Sequence, residues 1–192
     1  MKLLKLASGI LAIAAPFAAM AQTSTWKSDP AHTEVDFTIK HLALSNVHGR
    51  FGHVDATIVY DEKDVTKSTV NATIDVTGLS TGEPARDGHL KSPDFFDVSQ
   101  FATATFASTS VVKSATGLKV SGNLTIHGVT KPVVLDVDGP TAPVNGMDKK
   151  PHVGFSATTK INRTDFGIGP KFPEAILGDE VKISIDLDVA KQ

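Results

Sequence analysis

The chain has 192 residues with 19 basic and 21 acidic side chains, for a formal net charge of −2. It has no cysteine, which excludes a lipid-modified N-terminal thiol, covalent haem, a thiol nucleophile and disulfides. No run of Lys or Arg carries interleaved aromatics, so charge and composition also exclude a nucleic-acid partner.

Lys2 and Lys5 precede an apolar run from Leu6 to Ala15, followed by Pro16 and the small-x-small triplet Ala19-Met20-Ala21. This pattern predicts a signal peptide over 1–21, with the mature chain at 22–192. The run falls short of the ~20 apolar residues that span a bilayer, and no later stretch qualifies, so no transmembrane segment is expected. Without Lys2 and Lys5 the exported chain has a net charge of about −4. About 170 residues suffice for one domain with a single core. No internal repeat or linker suggests a second.

Along that domain, apolar and polar residues alternate with the period of a half-buried strand in Val35-Phe37-Ile39, Val70-Ala72-Ile74-Val76 and Leu118-Val120-Gly122-Leu124-Ile126. The same period returns in Val133-Leu135-Val137, Val153-Phe155-Ala157-Thr159-Ile161 and Val181-Ile183-Ile185-Leu187-Val189. Arg50 to Tyr60 and Thr103 to Val112 alternate less strictly, and bring the expected count to eight. No segment has a long helical period. Short turns at Ala115-Thr116-Gly117 and His127 to Pro132 predict hairpins, hence mostly antiparallel neighbours. Gly139 to Gly146 is a long loop. Eight such strands either close as a barrel or stack as a sandwich. The apolar faces include Ala72, Ala104, Gly122, Gly154 and Ala157, which either leave interior room or face large neighbours.

One segment breaks the alternation. Pro84 to Asp97 holds Arg86, Asp87, His89 and the pair Phe95-Phe96, and predicts a short helix or turn plugging one end of the sheet structure. Arg86 is a bidentate donor type and His89 a hydrogen-bonding one, suited to a phosphate, hydroxyl or amide head group; the alternative is an Arg86–Asp87 pair that ties the plug down. Asn162-Arg163 opens a second polar loop, Asp165 to Pro170, and Lys40-His41 ends the first long strand. The seven histidines form neither His-x-His nor an i, i+4 helical pair, and no Gly-x-Ser-x-Gly element positions a nucleophile. No catalytic or metal residue is therefore assigned.

Read together, several motifs are specific. Trp26 stands before Asp29-Pro30-Ala31-His32-Thr33, and Phe37 before Lys40-His41. Gly49-Arg50-Phe51, Arg86-Asp87-Gly88-His89-Leu90 and Phe95-Phe96-Asp97 follow, then Gly122 to Lys131 and Asn162-Arg163 with Phe166-Gly167-Ile168. In this order and spacing the whole mature chain resembles the YceI-like family of periplasmic lipid- or polyisoprenoid-binding proteins. The resemblance implies an all-β fold, an extended eight-stranded antiparallel barrel similar to lipocalins, with the helical plug around 84–97. It implies a periplasmic, non-enzymatic carrier without a cofactor, holding a polyisoprenoid, quinone-like or fatty-acyl amphiphile.

A strand of ten residues tilted in a closed barrel shelters a channel of roughly 25 Å, which suits a chain. The residues expected to touch the ligand are Phe37, Ile39, His41, Ile74, Arg86, Asp87, His89, Phe95, Phe106, Leu124, Phe155, Ala157, Asn162 and Arg163. The rival expectation is an enzyme or metal-dependent stress protein built on Arg86, Asp87 and His89. The sequence leaves monomer and homodimer equally open.

Overall fold

The computed structural model describes residues 22–192; the expected signal peptide lies outside the described residues. Eleven strands form one antiparallel sheet: β1 (Thr23–Ser28), β2 (Glu34–His41), β3 (Ser45–Arg50), β4 (Val54–Asp61), β5 (Thr69–Asp75), β6 (Thr103–Ser114), β7 (Gly117–Ile126), β8 (Val129–Asp138), β9 (Val144–Asn145), β10 (Pro151–Asn162) and β11 (Leu177–Lys191). Among the described residues the single α-helix, α1, spans Pro84–Lys91. No helix among the described residues is long and apolar enough to cross a membrane.

These strands fill eight barrel positions. β2 pairs with β11 from Leu177 to Asp186 and β1 pairs with its far end, Val189 to Lys191, so β1 and β2 occupy successive lengths of one position. β3 beside β2 and β4 beside β1 share the next position in the same way. β5, β6, β7, β8 and β10 follow, and the β10–β11 ladder from His152 to Asn162 closes the barrel. The protein is therefore a closed eight-position antiparallel barrel, as the alternation and the resemblance together led one to expect.

Three details differ from the sequence expectation. The run Arg50 to Tyr60 is not one strand: β3 ends at Arg50 and β4 begins at Val54, because Phe51 and Gly52 bond across the break to Val35 O and Asp75 O. β1 and β3 carry one apolar side chain each with real weight, Trp26 and Val47, so alternation gives no sign of them; pairing with β11 and β2 makes them strands. β8 starts at Val129 rather than Val133, since His127 (φ 52°) and Gly128 (φ 73°) form a two-residue turn that brings Ile126 opposite Val129.

The small residues also divide. Ala72, Ala104 and Ala157 line the barrel interior. Gly122 leaves no space, because an added Cβ would lie 2.4 Å from the Phe106 ring, and Gly154 faces outward toward Thr141.

Candidate ligand channel

Three apolar chambers run in series through the barrel. The middle one, a cavity of about 140 Å³, is lined by inward residues of the strands, among them Ala72, Ile74, Ala104, Phe106, Leu124 and Ala157. Phe51, Ile126 and Ile183 also line a second chamber of about 290 Å³ beneath α1. Ile58, Tyr60 and Phe155 stand between the middle and a third, about 520 Å³, under the 139–150 loop. Shared liners set the three chambers end to end along the barrel. In the middle, Thr159 donates to Val134 O at 2.8 Å and Ser68 accepts from Asp61 N at 3.0 Å.

α1 is built to sit across one end. Glu83 caps its N-terminus by accepting from Ala85 N (3.3 Å), and Pro84 supplies a fixed φ at the first helical position. Asp87 accepts from Thr81 N (2.7 Å), Thr81 Oγ1 (2.5 Å) and Ser80 Oγ (3.1 Å). These bonds, led by the Thr81 hydroxyl, hold its carboxyl below the usual carboxylate range. Arg86 donates Nε to Thr81 Oγ1 (2.7 Å) and Nη2 to Thr81 O (3.1 Å). Arg86 and Asp87 thus grip the same threonine instead of pairing directly. Behind them Phe95 and Phe96 are buried and line the chamber.

A second segment meets α1 from across the mouth. Phe172 stacks on Phe95 with ring centroids 4.9 Å apart, His89 sets its edge against Phe95 at 5.0 Å, and Lys171 donates to Asp94 at 2.9 Å. Arg163 holds that segment in place. Only 3 % exposed, its guanidinium donates all five N–H groups to backbone carbonyls: Gly178 and Leu177, Ile168 and Gly169, and Phe172. Gly167 and Gly169 take positive φ of 71° and 59°, letting the chain curl around the guanidinium.

Of the residues expected at the ligand, Phe37, Ile39, His41, Arg86, His89, Phe95 and Arg163 line the α1-end chamber, and Ile74, Phe106, Leu124, Phe155 and Ala157 the middle. Two stand apart. Asp87 is engaged by Ser80 and Thr81, and Asn162 lies in a groove on the outer wall between β8 and β10. Of the rival trio, Arg86 and His89 line the same chamber, while Asp87 is held by Thr81 and His89 lies between the Phe95 ring and Asp94 (3.6 Å).

Residues missed at the sequence level include Phe172 and Tyr60; an aromatic between Pro170 and Pro173 in a loop is the one signal that pointed to the former. On the outer face, Asp29, His152 and Asp188 bring ligand-type atoms within 4.8 Å of one another, from three distant segments that no local spacing could connect. His152 links Asp188 (2.7 Å) to Asp148 (3.1 Å) there and ties the 139–150 loop to β11.

A family model described as the YceI-like domain matches residues 26–189. The protein belongs to the YceI-like family. A relative of this YceI-like chain in Vibrio cholerae, a UPF0312 protein, is 38 % identical over 173 residues, covering 88 % of this chain and 89 % of its own. Among solved structures, the YceI protein of Campylobacter jejuni is similar with a TM-score of 0.70 and 31 % identity, over 80 % of this chain and 90 % of that one. A polyisoprenoid-binding domain from Saccharophagus degradans shares the YceI-like fold with a TM-score of 0.64 at 14 % identity, over 87 % of this chain and 98 % of that one.

Proposed function

We propose that the protein is a non-enzymatic carrier that encloses one long-chain amphiphile, a polyisoprenoid or a fatty-acyl or quinone-like chain, in its barrel. The observation that carries this reading is the row of three adjoining chambers along the barrel, the middle one presenting only apolar surface. Each methylene buried there contributes ~0.8 kcal/mol, so ten supply ~8 kcal/mol before ordering costs, against ~1 kcal/mol for a neutral hydrogen bond. Affinity then resides in the chain, and selection among head groups resides at an end. The polyisoprenoid-binding description of the Saccharophagus domain supports the ligand class through the shared fold. The leader pattern over 1–21 supports export to the periplasm, where such a carrier shields an insoluble chain from water.

Native mass spectrometry of the exported protein, followed by solvent extraction, tests the reading. The expected result is a co-purifying amphiphile, or a one-to-one mass increase when geranylgeraniol is offered to stripped protein. A stripped, folded protein that takes up neither isoprenoids nor fatty amides rejects it.

A further inference from the structure

The outer face of the barrel gathers a group of polar side chains apart from the channel. β10 and β11 pair with His152 opposite Ala190, which sets Asp188 two residues along on the same face as His152. The turn after β1 brings Asp29 to them, because Asp29 N and Thr33 Oγ1 both donate to Asp188 O, at 2.8 and 3.2 Å. The same turn places His32 Nδ1 2.9 Å from Asp29 Oδ2, where Asp188 and His152 also act on His32 through their charges. Val153, next along β10, lines the far chamber, so His152 turns away from it.

Two imidazoles and two carboxylates are the donor set of a borderline transition metal, whereas Ca²⁺ and Mg²⁺ prefer oxygen alone. Ligand-type atoms of Asp29, His152 and Asp188 all lie within 4.8 Å of one another, and His152 Nδ1 is 2.7 Å from Asp188 Oδ1. These values bracket the roughly 3.4 Å between neighbouring ligands of a tetrahedral zinc ion with bonds of ~2.1 Å. His152 has a further feature of a metal ligand. While its Nδ1 faces the group, its Nε2 lies 3.1 Å from Asp148 Oδ1, a carboxylate oxygen itself fixed by Lys150 N at 3.0 Å. A carboxylate on the outer ring nitrogen selects the tautomer whose Nδ1 lone pair is free for a cation. Charge points the same way: among the described residues no Lys or Arg pairs with Asp29, Asp148 or Asp188, and the His152 side chain is only 13 % exposed.

We propose that Asp29, His32, His152 and Asp188 form a binding site for one Zn²⁺ ion on the outer face of the barrel, with Asp148 orienting His152. The bound ion joins the turn after β1 to β10 and β11. Its binding is independent of what the barrel encloses.

Titrating Zn²⁺ into untagged, metal-stripped protein carrying ¹⁵N-labelled histidine tests the site directly. One equivalent should saturate it, moving the Nδ1 resonances of His32 and His152 and leaving those of His41, His48, His53, His89 and His127 in place. A large excess of Ca²⁺ or Mg²⁺ should move none of them. By calorimetry, His152→Gln should abolish the one-to-one binding and His48→Gln leave it intact, while Asp148→Asn, which removes no ligand, should weaken it about 10–100-fold. No binding at one equivalent, shifts at the other imidazoles instead, displacement by Ca²⁺, or unchanged affinity in His152→Gln overturns the site and leaves an imidazolium held by carboxylates. Unchanged affinity in Asp148→Asn overturns the orienting role. Because the imidazole shifts are read in the parent protein, a variant that fails to fold does not decide the outcome.

Discussion

At its α1 end the channel is closed by a helix and a glycine-bearing loop gathered around a buried guanidinium, whereas at the opposite end the 139–150 loop lies over Trp26 and Tyr60. The first closure depends on long side chains reaching backbone: Arg163 to five carbonyls, Arg86 and Asp87 to Thr81. The second depends on strand pairing and surface links, with β9 on β10 and His152 between Asp148 and Asp188. A barrel can thus carry one end whose charged liners are all basic and another whose charged liners, Glu62 and Lys191, pair with each other.

The largest way to break this contrast is to remove the guanidinium. Arg163→Met leaves five carbonyls without a donor, at least two of them on fully buried bonds, and each such loss costs about 1–3 kcal/mol. Urea unfolding should show a loss of at least ~3 kcal/mol, and Arg163→Lys should recover only part of it because an ammonium has three donors. A loss under ~1 kcal/mol would mean that the loop needs no such anchor.

Next comes the wall shared by both ends. Ala157 lines the middle chamber, so Ala157→Phe should abolish uptake of a long chain while changing stability by under ~1 kcal/mol. Retained binding, or a stability cost of ~1–3 kcal/mol, would show that the space is already packed. A smaller effect belongs to the aromatic latch: the Phe95–Phe172 stack contributes about 0.5–1.5 kcal/mol beyond its buried area. Phe172→Ala should therefore speed ligand release roughly three- to tenfold in stopped-flow measurements. No change in release would assign exchange to the far lid.

How legible each region was follows from the same contrast. β11 declares itself through Val181, Ile183, Ile185, Leu187 and Val189, because one wall of a barrel is wet and the other dry. β3 does not, since Ser45, Asn46, His48 and Gly49 follow no apolar period and the strand exists by pairing with β2. Arg86, His89 and Arg163 were recognisable as residues of the plug and its neighbouring loop. What their side chains do was not, because Arg163's partners lie 5 to 15 positions downstream and converge only when the loop curls. Asp87 misled for a related reason: a carboxylate beside an arginine looks like its partner, yet Thr81, six residues earlier, satisfies both.

Acid provides the finest probe of the α1 lid. The Thr81 hydroxyl leads in lowering the Asp87 pKa, and Lys171 leads in lowering that of Asp94. A carboxylate whose folded pKa is depressed contributes stability above its unfolded value, near 4, and loses it as pH falls through the folded value. The backbone resonances of α1 should therefore shift and broaden progressively once pH drops below about 4. Other carboxylates, Asp29 and Asp148 among them, are depressed as well, so a global acid response needs separating from the local one. Asp87→Asn does so: it should loosen α1 at neutral pH, where the opposite end keeps its carboxylates charged. If α1 in that variant stays as rigid as in the parent, the Thr81 grip does not hold the helix, and packing of Leu90, Phe95 and Phe96 alone closes that end of the channel.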